Sequence, residues 1–228
     1  MTVAEADHGA PIPRVRVIAA TAAVGAVVFA LLRLAIRDDG WLVAVDRGVL
    51  RWVLAHRSDP LTTIMTAVTT LGDLPVVVLA GAIAVTALVR ARRGELATAL
   101  VVSSAGTWLL VNGIKLLVQR PRPPEGVRLV HAAGWAFPSG HAGQSAAMYV
   151  AIGLLAWFAA RAAWVRWTLL ATTVVLALGI GSSRVYLGVH WMSDVVAGWS
   201  LGLAWFLAVL GVTTAWVRRP RADGSGAT

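Results

Sequence analysis

The chain contains no cysteine, so disulfide bonds and thiolate-bound metals are excluded, and the redox compartment leaves no trace in it. Charge is also scarce. Only 14% of the 228 residues are Asp, Glu, Lys or Arg, against about a quarter in an ordinary soluble domain. Of the 20 Lys and Arg side chains one alone, Lys115, is lysine. No low-complexity core and no internal repeat is visible. The net charge of +9 is not the signature of a nucleic-acid partner, because the basic residues lie between apolar runs, where membrane topology and anionic headgroups account for them.

What is present in excess is apolar sequence: 58% of the residues, with a mean hydropathy of +0.74. A helix needs about 20 apolar residues to cross the hydrocarbon of a bilayer. Six segments meet or approach that length, at 15–37, 61–89, 96–118, 142–160, 163–181 and 195–217. The expected fold is therefore all-α, a polytopic bundle of six transmembrane helices spanning residues 15–217. Short tails at 1–14 and 218–228 flank it. The second segment is interrupted by Gly72-Asp73-Leu74-Pro75, so its membrane part shrinks toward 75–89, with 61–71 near the interface. Arg14 and Arg16 precede the first segment like the basic region of a signal peptide. It is long and lacks a small-residue cleavage site, so it reads as an uncleaved first span.

Basic residues fall on both sides of the predicted bundle. Those at 90–93 and 218–221 form nearly pure arginine clusters, whereas the opposite set is diluted by Asp38, Asp39, Asp46, Asp59 and Glu125. The positive-inside rule then puts both termini in the cytoplasm. Trp41, Trp52, Trp135 and Trp191 fall near the outer ends of spans, and Trp157, Trp164, Trp167 and Trp216 near the inner ends, as interfacial belts require.

Three polar clusters break the apolar pattern, all at the same predicted face. The first runs from Lys115 to Pro123 and contains Arg120, followed by a proline, and Arg122, which lies between two. An ammonium so close to hydrocarbon costs several kcal/mol unless it snorkels or finds a partner, and snorkelling alone accounts for Lys115. Either arginine can contact a phosphate, or simply be solvated. The second cluster is Pro138-Ser139-Gly140-His141, before an apolar helix. Ser139 suits an N-cap, Gly140 permits close backbone approach, and free N–H groups at a helix start hold phosphate. An ordinary cap explains Ser139 and Gly140 equally well, but not His141. The third cluster contains Ser183, Arg184, His190 and Asp194. Four residues separate His190 from Asp194, a spacing that puts both on one face of a helix. A carboxylate there fixes the imidazole tautomer and frees the other nitrogen to attack; a purely structural His–Asp pair has the same spacing. Taken together, the clusters supply a nucleophile with its orienting acid, a second histidine and several cations. In-line phosphoryl transfer needs such a set when no metal neutralises the charge.

In these residues the sequence resembles the type 2 phosphatidic acid phosphatases, relatives of the vanadium haloperoxidases. Their signature reads K-x6-R-P, then P-S-G-H, then S-R-x5-H-x3-D. It is matched without departure at Lys115, Arg122, Pro123, Pro138, Ser139, Gly140, His141, Ser183, Arg184, His190 and Asp194. The resemblance implies that His190 is the nucleophile, Asp194 its orienting acid and His141 the proton donor to the leaving oxygen. It implies that Lys115, Arg122, Ser139, Gly140 and Arg184 bind the phosphoryl oxygens, and it chooses Arg122 over Arg120. It also implies no cofactor and no metal, and the sequence offers no evident carboxylate cluster for one. The expected partners are the bilayer and a membrane lipid phosphate, with no nucleic acid. The expected location is the bacterial cytoplasmic membrane, multi-pass, with the site facing outward. A polyprenyl (undecaprenyl) diphosphate ranks first as substrate, ahead of phosphatidic acid and phosphatidylglycerol phosphate. The same cations would also serve an anionic-lipid binding or transport protein, though the paired broken helices of many transporters are not evident.

Overall fold

The computed structural model describes residues 15–37 and 40–217. The two tails expected at 1–14 and 218–228 lie outside the described residues, as do Asp38 and Asp39. Among the described residues there are helices and loops and no strand.

Helix α1 (Val15–Ala35) is apolar on every side, yet only 6% of its best 18-residue window is buried. Val17, Val24, Val27 and Leu31 point outward. So large an apolar surface is stable only against lipid. One stripe faces inward, where Ile18 and Ala22 join Phe206, Leu207 and Leu210 in the main core.

The connection after α1 holds a helix the apolar-run reading did not foresee, α2 (Trp41–Ala55). It is too short and too charged to register as a span. Its buried positions, Leu42, Asp46, Leu50 and Val53, recur at helical spacing, but a carboxylate in the stripe disguises it. Trp41 and Trp52 stand exposed on its other side.

The second expected span is broken where the sequence suggested. Helices α3 (Asp59–Thr70) and α4 (Leu74–Arg90) meet at an angle of 52°. Each begins with proline in its first turn, the position proline tolerates. Pro75 also clashes with a helical carbonyl four residues earlier. That carbonyl, Leu71 O, is turned away and accepts the Tyr149 hydroxyl at 2.5 Å.

Helix α5 (Gly94–Val118) ends at Gln119, which adopts a left-handed conformation (φ 49°) before Arg120-Pro121-Arg122-Pro123, and the prolines forbid continuation. Helix α6 (Gly140–Ser145) passes through a π-helical turn, Ala146–Val150, into α7 (Ala151–Ala159). Helices α8 (Ala163–Tyr186) and α9 (Met192–Val217) complete the bundle. Five helical runs are long and apolar enough to cross a membrane, and the bent α3–α4 pair makes a sixth.

The packing of α6 on α9 sets the position of the site. A Cβ at Gly198 would lie 2.5 Å from Ser139 O, and one at Gly202 only 2.2 Å from Gly143 O. The two backbones approach too closely for side chains, as at small-residue interfaces between membrane helices. A second core cluster, with Val53, Ala142, Val185, Leu187, Val189 and Val195, lies where α2, α6, α8 and α9 converge.

Candidate active site

All three polar clusters converge at one end of the bundle. His190 sits in the turn between α8 and α9 and is 2% exposed. Its Nδ1 faces Asp194 Oδ2 at 3.4 Å, and its Nε2 faces Arg122 Nη1 at 3.0 Å. A guanidinium can only donate, so Nε2 presents its lone pair and the proton belongs on Nδ1. The tautomer with Nε2 free is thus selected from both sides.

The helical face expected to unite His190 and Asp194 is not how they meet. His190 precedes α9, and Asp194 occupies that helix's third position. The carboxylate reaches back: Oδ2 accepts the Trp191 N–H at 2.9 Å as well as the imidazole. This is half of a capping box, which ties the Asp194 carboxylate to the helix start.

Arg122 is held by three carbonyls. Its Nε donates to Gly134 O (2.9 Å), Nη1 to Val189 O (2.7 Å) and Nη2 to Ala133 O (2.9 Å). Lys115, in the last turn of α5, donates to Trp135 O at 2.9 Å. Arg184 lies in the last turn of α8, which extends past the expected end at residue 181. It donates through Nη1 to Thr69 Oγ1 at 2.8 Å, while its Nε is buried without a hydrogen-bond partner. Ser139 occupies the N-cap position of α6, but its hydroxyl makes no cap hydrogen bond and its Oγ is also buried unpartnered. The expected capping bond is therefore corrected: the Ser139 hydroxyl is spare, while its backbone N–H donates to Asp194 O at 2.9 Å and its carbonyl accepts the Gly143 N–H at 3.0 Å. Unsatisfied buried donors cost about 1–3 kcal/mol each, and a phosphoryl oxygen is a fitting acceptor for both.

Burial first, then the positive fields of Arg122, Lys115, Arg184 and His141, hold the His190 pKa well below the usual histidine value. The imidazole is thereby kept neutral. Burial lowers the Arg122 pKa as well, opposed by Asp194 and reinforced by Arg128.

Several site residues carried no signal in the sequence. Asp73, at the α3–α4 break, accepts from His141 Nε2 at 3.0 Å. Gly72 beside it leaves room for the ring, since a Cβ there would lie 2.8 Å from His141 Cδ2 and 2.5 Å from Ile180 Cγ2. Arg120, a candidate phosphate contact by sequence, turns inward and pairs with Asp46 (2.7 Å) and Asp194 (2.5 Å). Trp191 does not act as a free interfacial tryptophan. Its indole N–H donates to Pro121 O, and its ring lies 5.6 Å from the Arg120 guanidinium carbon. Arg57 fastens the turn after α8, donating to Tyr186 O twice and to Val127 O. A proline or carboxylate at a span break can be flagged in a sequence, but its partner 68 residues away cannot.

A cavity of about 180 Å³ is lined by Gly72, Trp108, Lys115, Gly140, His141 and Gln144, among others. A larger apolar groove of about 640 Å³ runs between α4 and α5 and shares Leu74, Trp108 and Gln144 with it. Gln144 is tied to Ser104 on the groove wall by two hydrogen bonds. Among the described residues no group of three or more His, Cys, Asp or Glu side chains is placed to hold a metal ion.

The PAP2 superfamily model matches residues 96–218. Phosphatidylglycerophosphatase B of Bacillus subtilis (strain 168) is 33% identical over 190 residues, covering 80% of this chain and 90% of its own. An undecaprenyl-diphosphatase of Sulfolobus acidocaldarius is 39% identical over 77 residues, about a third of either chain. Among solved structures, the transmembrane PAP2-type phosphatidylglycerolphosphate phosphatase from Bacillus subtilis superposes with a TM-score of 0.76 at 28% identity, covering 88% of this chain and 99% of that one. The fold is shared with Aquifex aeolicus LpxE, with a TM-score of 0.60 at 23% identity over 77% and 98% of the two chains. With the signature residues gathered at one end of a multi-pass bundle, the chain belongs to the PAP2 superfamily and is a membrane lipid phosphatase of the PAP2 type.

Proposed function

We propose that this phosphatase works through a phosphohistidine on His190 and takes its lipid from the bilayer through the groove between α4 and α5. The observation that carries the reading is the gathering of two carboxylate-bound histidines and three cations at one end of the bundle, beside a cavity lined by Lys115 and His141 that shares Leu74, Trp108 and Gln144 with an apolar groove. Headgroup phosphate suits the first environment and lipid tails the second.

In the resting site Arg122 Nη1 covers His190 Nε2. An incoming phosphoryl group draws that guanidinium onto its oxygens and exposes the nucleophile. Nε2 then attacks phosphorus, the bond to the leaving oxygen breaks, and His141 gives that oxygen a proton. Asp194 takes up the positive charge developing on the His190 ring. Lys115, Arg122 and Arg184, with the Ser139 hydroxyl and the N–H groups at the start of α6 around Gly140, neutralise the equatorial oxygens. Water, deprotonated by His141, then cleaves the N–P bond and releases phosphate. With Asp73 on Nε2 of His141, Nδ1 is the atom left to exchange protons with the substrate.

The substrate ranked first is phosphatidylglycerol phosphate, because the relative of that name aligns over 80% of this chain. Polyprenyl diphosphate, favoured by the sequence reading, is the second, supported by the shorter undecaprenyl-diphosphatase match. The arginine clusters argue for cytoplasmic termini and for a site on the outer face of a bacterial plasma membrane.

The test is phosphate release by purified protein in EDTA, with phosphatidylglycerol phosphate, undecaprenyl diphosphate and phosphatidic acid compared, and His190→Ala as control. Release that requires His190 and ignores EDTA supports the mechanism, and the highest kcat/KM identifies the substrate class. Turnover by His190→Ala at the wild-type rate would overturn it.

A further inference from the structure

Helix α2 lies outside the stretch matched by the PAP2 model, which begins at residue 96, yet it sends a carboxylate into the buried centre of the site. Asp46 is 1% exposed. Its Oδ1 accepts the Ser193 N–H at 2.9 Å, and its Oδ2 accepts the Ser193 hydroxyl at 2.5 Å and Arg120 Nη2 at 2.7 Å. Arg120 Nη1 continues to Ser193 Oγ (2.8 Å) and Asp194 Oδ1. A chain of charge-assisted hydrogen bonds therefore runs Asp46–Arg120–Asp194–His190.

The division of oxygens matters. Asp194 gives Oδ1 to Arg120 and keeps Oδ2 for His190 and the Trp191 N–H. Arginine–carboxylate pairs are frequently bidentate, the guanidinium holding both oxygens. Asp46 occupies the other Nη of Arg120 and prevents that grip. A structural ion pair alone would not require four of the five Asp46 and Arg120 hydrogen bonds to end on Ser193 and Asp194, the residues at the base of the proposed nucleophile.

We propose that Asp46 is a positioning residue for the nucleophile, holding Arg120 end-on so that one oxygen of Asp194 stays with His190. The proposal rests on the phosphohistidine reading above. Helix α2, which exposes Trp41 and Trp52, is thereby joined to the reacting histidine.

The experiment uses the full-length protein in detergent or nanodiscs and measures the rate of His190 phosphorylation by rapid quench, with KM and the acid limb of kcat/KM. The groups facing His190 are Asp194, Arg122, Lys115, Arg184 and His141, and none is altered by the variants. Asp46→Asn should slow phosphorylation by roughly 10–100-fold, the cost typical of lost outer partners of functional histidines in metal sites, with KM within about twofold. Its acid limb should move to lower pH, because a negative charge is lost and Arg120 neutralises Asp194 more fully. Arg120→Met should move the limb to higher pH. Opposite displacements distinguish positioning from general destabilisation. Should Asp46→Asn not fold, the double variant Asp46→Leu/Arg120→Met removes the buried pair together, a change buried pairs tolerate. It should also lose rate, with a limb between those of wild type and Arg120→Met. Phosphorylation by the folded variants within about threefold of wild type, or limbs that do not move, would overturn the proposal. His190→Ala, run alongside, separates the failures: turnover there sinks the phosphohistidine reading itself, whereas an inactive His190→Ala beside a fully active Asp46→Asn sinks only this inference.

Discussion

The two histidines of the site have the same chemistry and opposite surroundings. His190 is 2% exposed, its carboxylate partner is fully buried, and that partner is held in turn by Arg120 and the Trp191 N–H. The His141 side chain is 23% exposed, and its partner Asp73 is 49% exposed and sits on the hinge of a broken span. Arg122 belongs to the first half, clamped by loop carbonyls. Arg184 belongs to the second, bonded to Thr69 on α3. In the proposed roles the nucleophile half is the more tightly held before substrate arrives, with Arg122 the one group the phosphoryl oxygens must draw aside. The acid half hangs on α3 and α4, and α4 also forms one wall of the apolar groove. A nucleophile meets the same phosphorus in every substrate, whereas a leaving oxygen differs from lipid to lipid. Rigidity in one half and adaptability in the other follow that difference.

The largest effect expected is from His190→Ala, which removes the covalent path and should leave only background phosphate release. Asp194→Asn comes next. It should cost about 10³–10⁴ in kcat, because an amide fails to enforce the Nδ1–H tautomer, as in carboxylate-oriented triads. Arg122→Lys should lose about 10²–10³, the loss of a transition-state donor, since an ammonium cannot span three carbonyls and a phosphate. Asp73→Asn should be milder, about tenfold, within what general acid catalysis contributes. Its effect should vanish with a p-nitrophenyl phosphate leaving group, which needs no proton, while that of Asp194→Asn persists. Equal sensitivity of both variants to the leaving group would break the division between the halves.

The smallest effect is a displacement in pH. An unperturbed histidine titrates near pH 6.5, and the His190 pKa is held well below that. As pH falls through 6.5 the folded protein keeps a neutral nucleophile, so the acid limb of kcat/KM, corrected for ionisation of the substrate phosphate, should lie below 6.5. The same depression makes the unfolded chain take up the proton first, so His190 contributes to stability above pH 6.5 and that contribution declines as pH drops below it. An acid limb at or above 6.5 would show that His190 is not shielded as its burial implies.

Much of this was legible in the chain. Five of the six apolar runs are helices long and apolar enough to cross a membrane and the sixth is the bent α3–α4 pair, because crossing the hydrocarbon needs about 20 apolar residues, a feature of local composition. The break at Gly72–Pro75 was visible because proline acts on its own backbone. Lys115, Ser139, Gly140, His141, Arg184, His190 and Asp194 stood out as candidates by residue type and position, and the resemblance to the family signature chose Arg122 over Arg120 and implied the role of each. The helix α2 was not, since a buried carboxylate in its inner stripe masks the periodicity. Nor was the way His190 meets Asp194, where the correct spacing arises from a helix-start turn rather than a helix face.

By itself the sequence determined the solvent, the number of crossings, the end of the bundle where charge gathers and the class of chemistry, since each depends on local composition or a motif a few residues long. Beyond the His190–Asp194 pair, only the tertiary structure decided which carboxylate serves which cation or histidine. Asp73 reaches His141 across 68 residues and Asp46 reaches Ser193 across 147, separations over which no periodicity or propensity carries information. It also decided that Arg120 faces inward and Arg122 the nucleophile. Two arginines separated by one proline are alike in sequence, and the direction each side chain takes is set by the carboxylates and carbonyls that the packed helices bring to it.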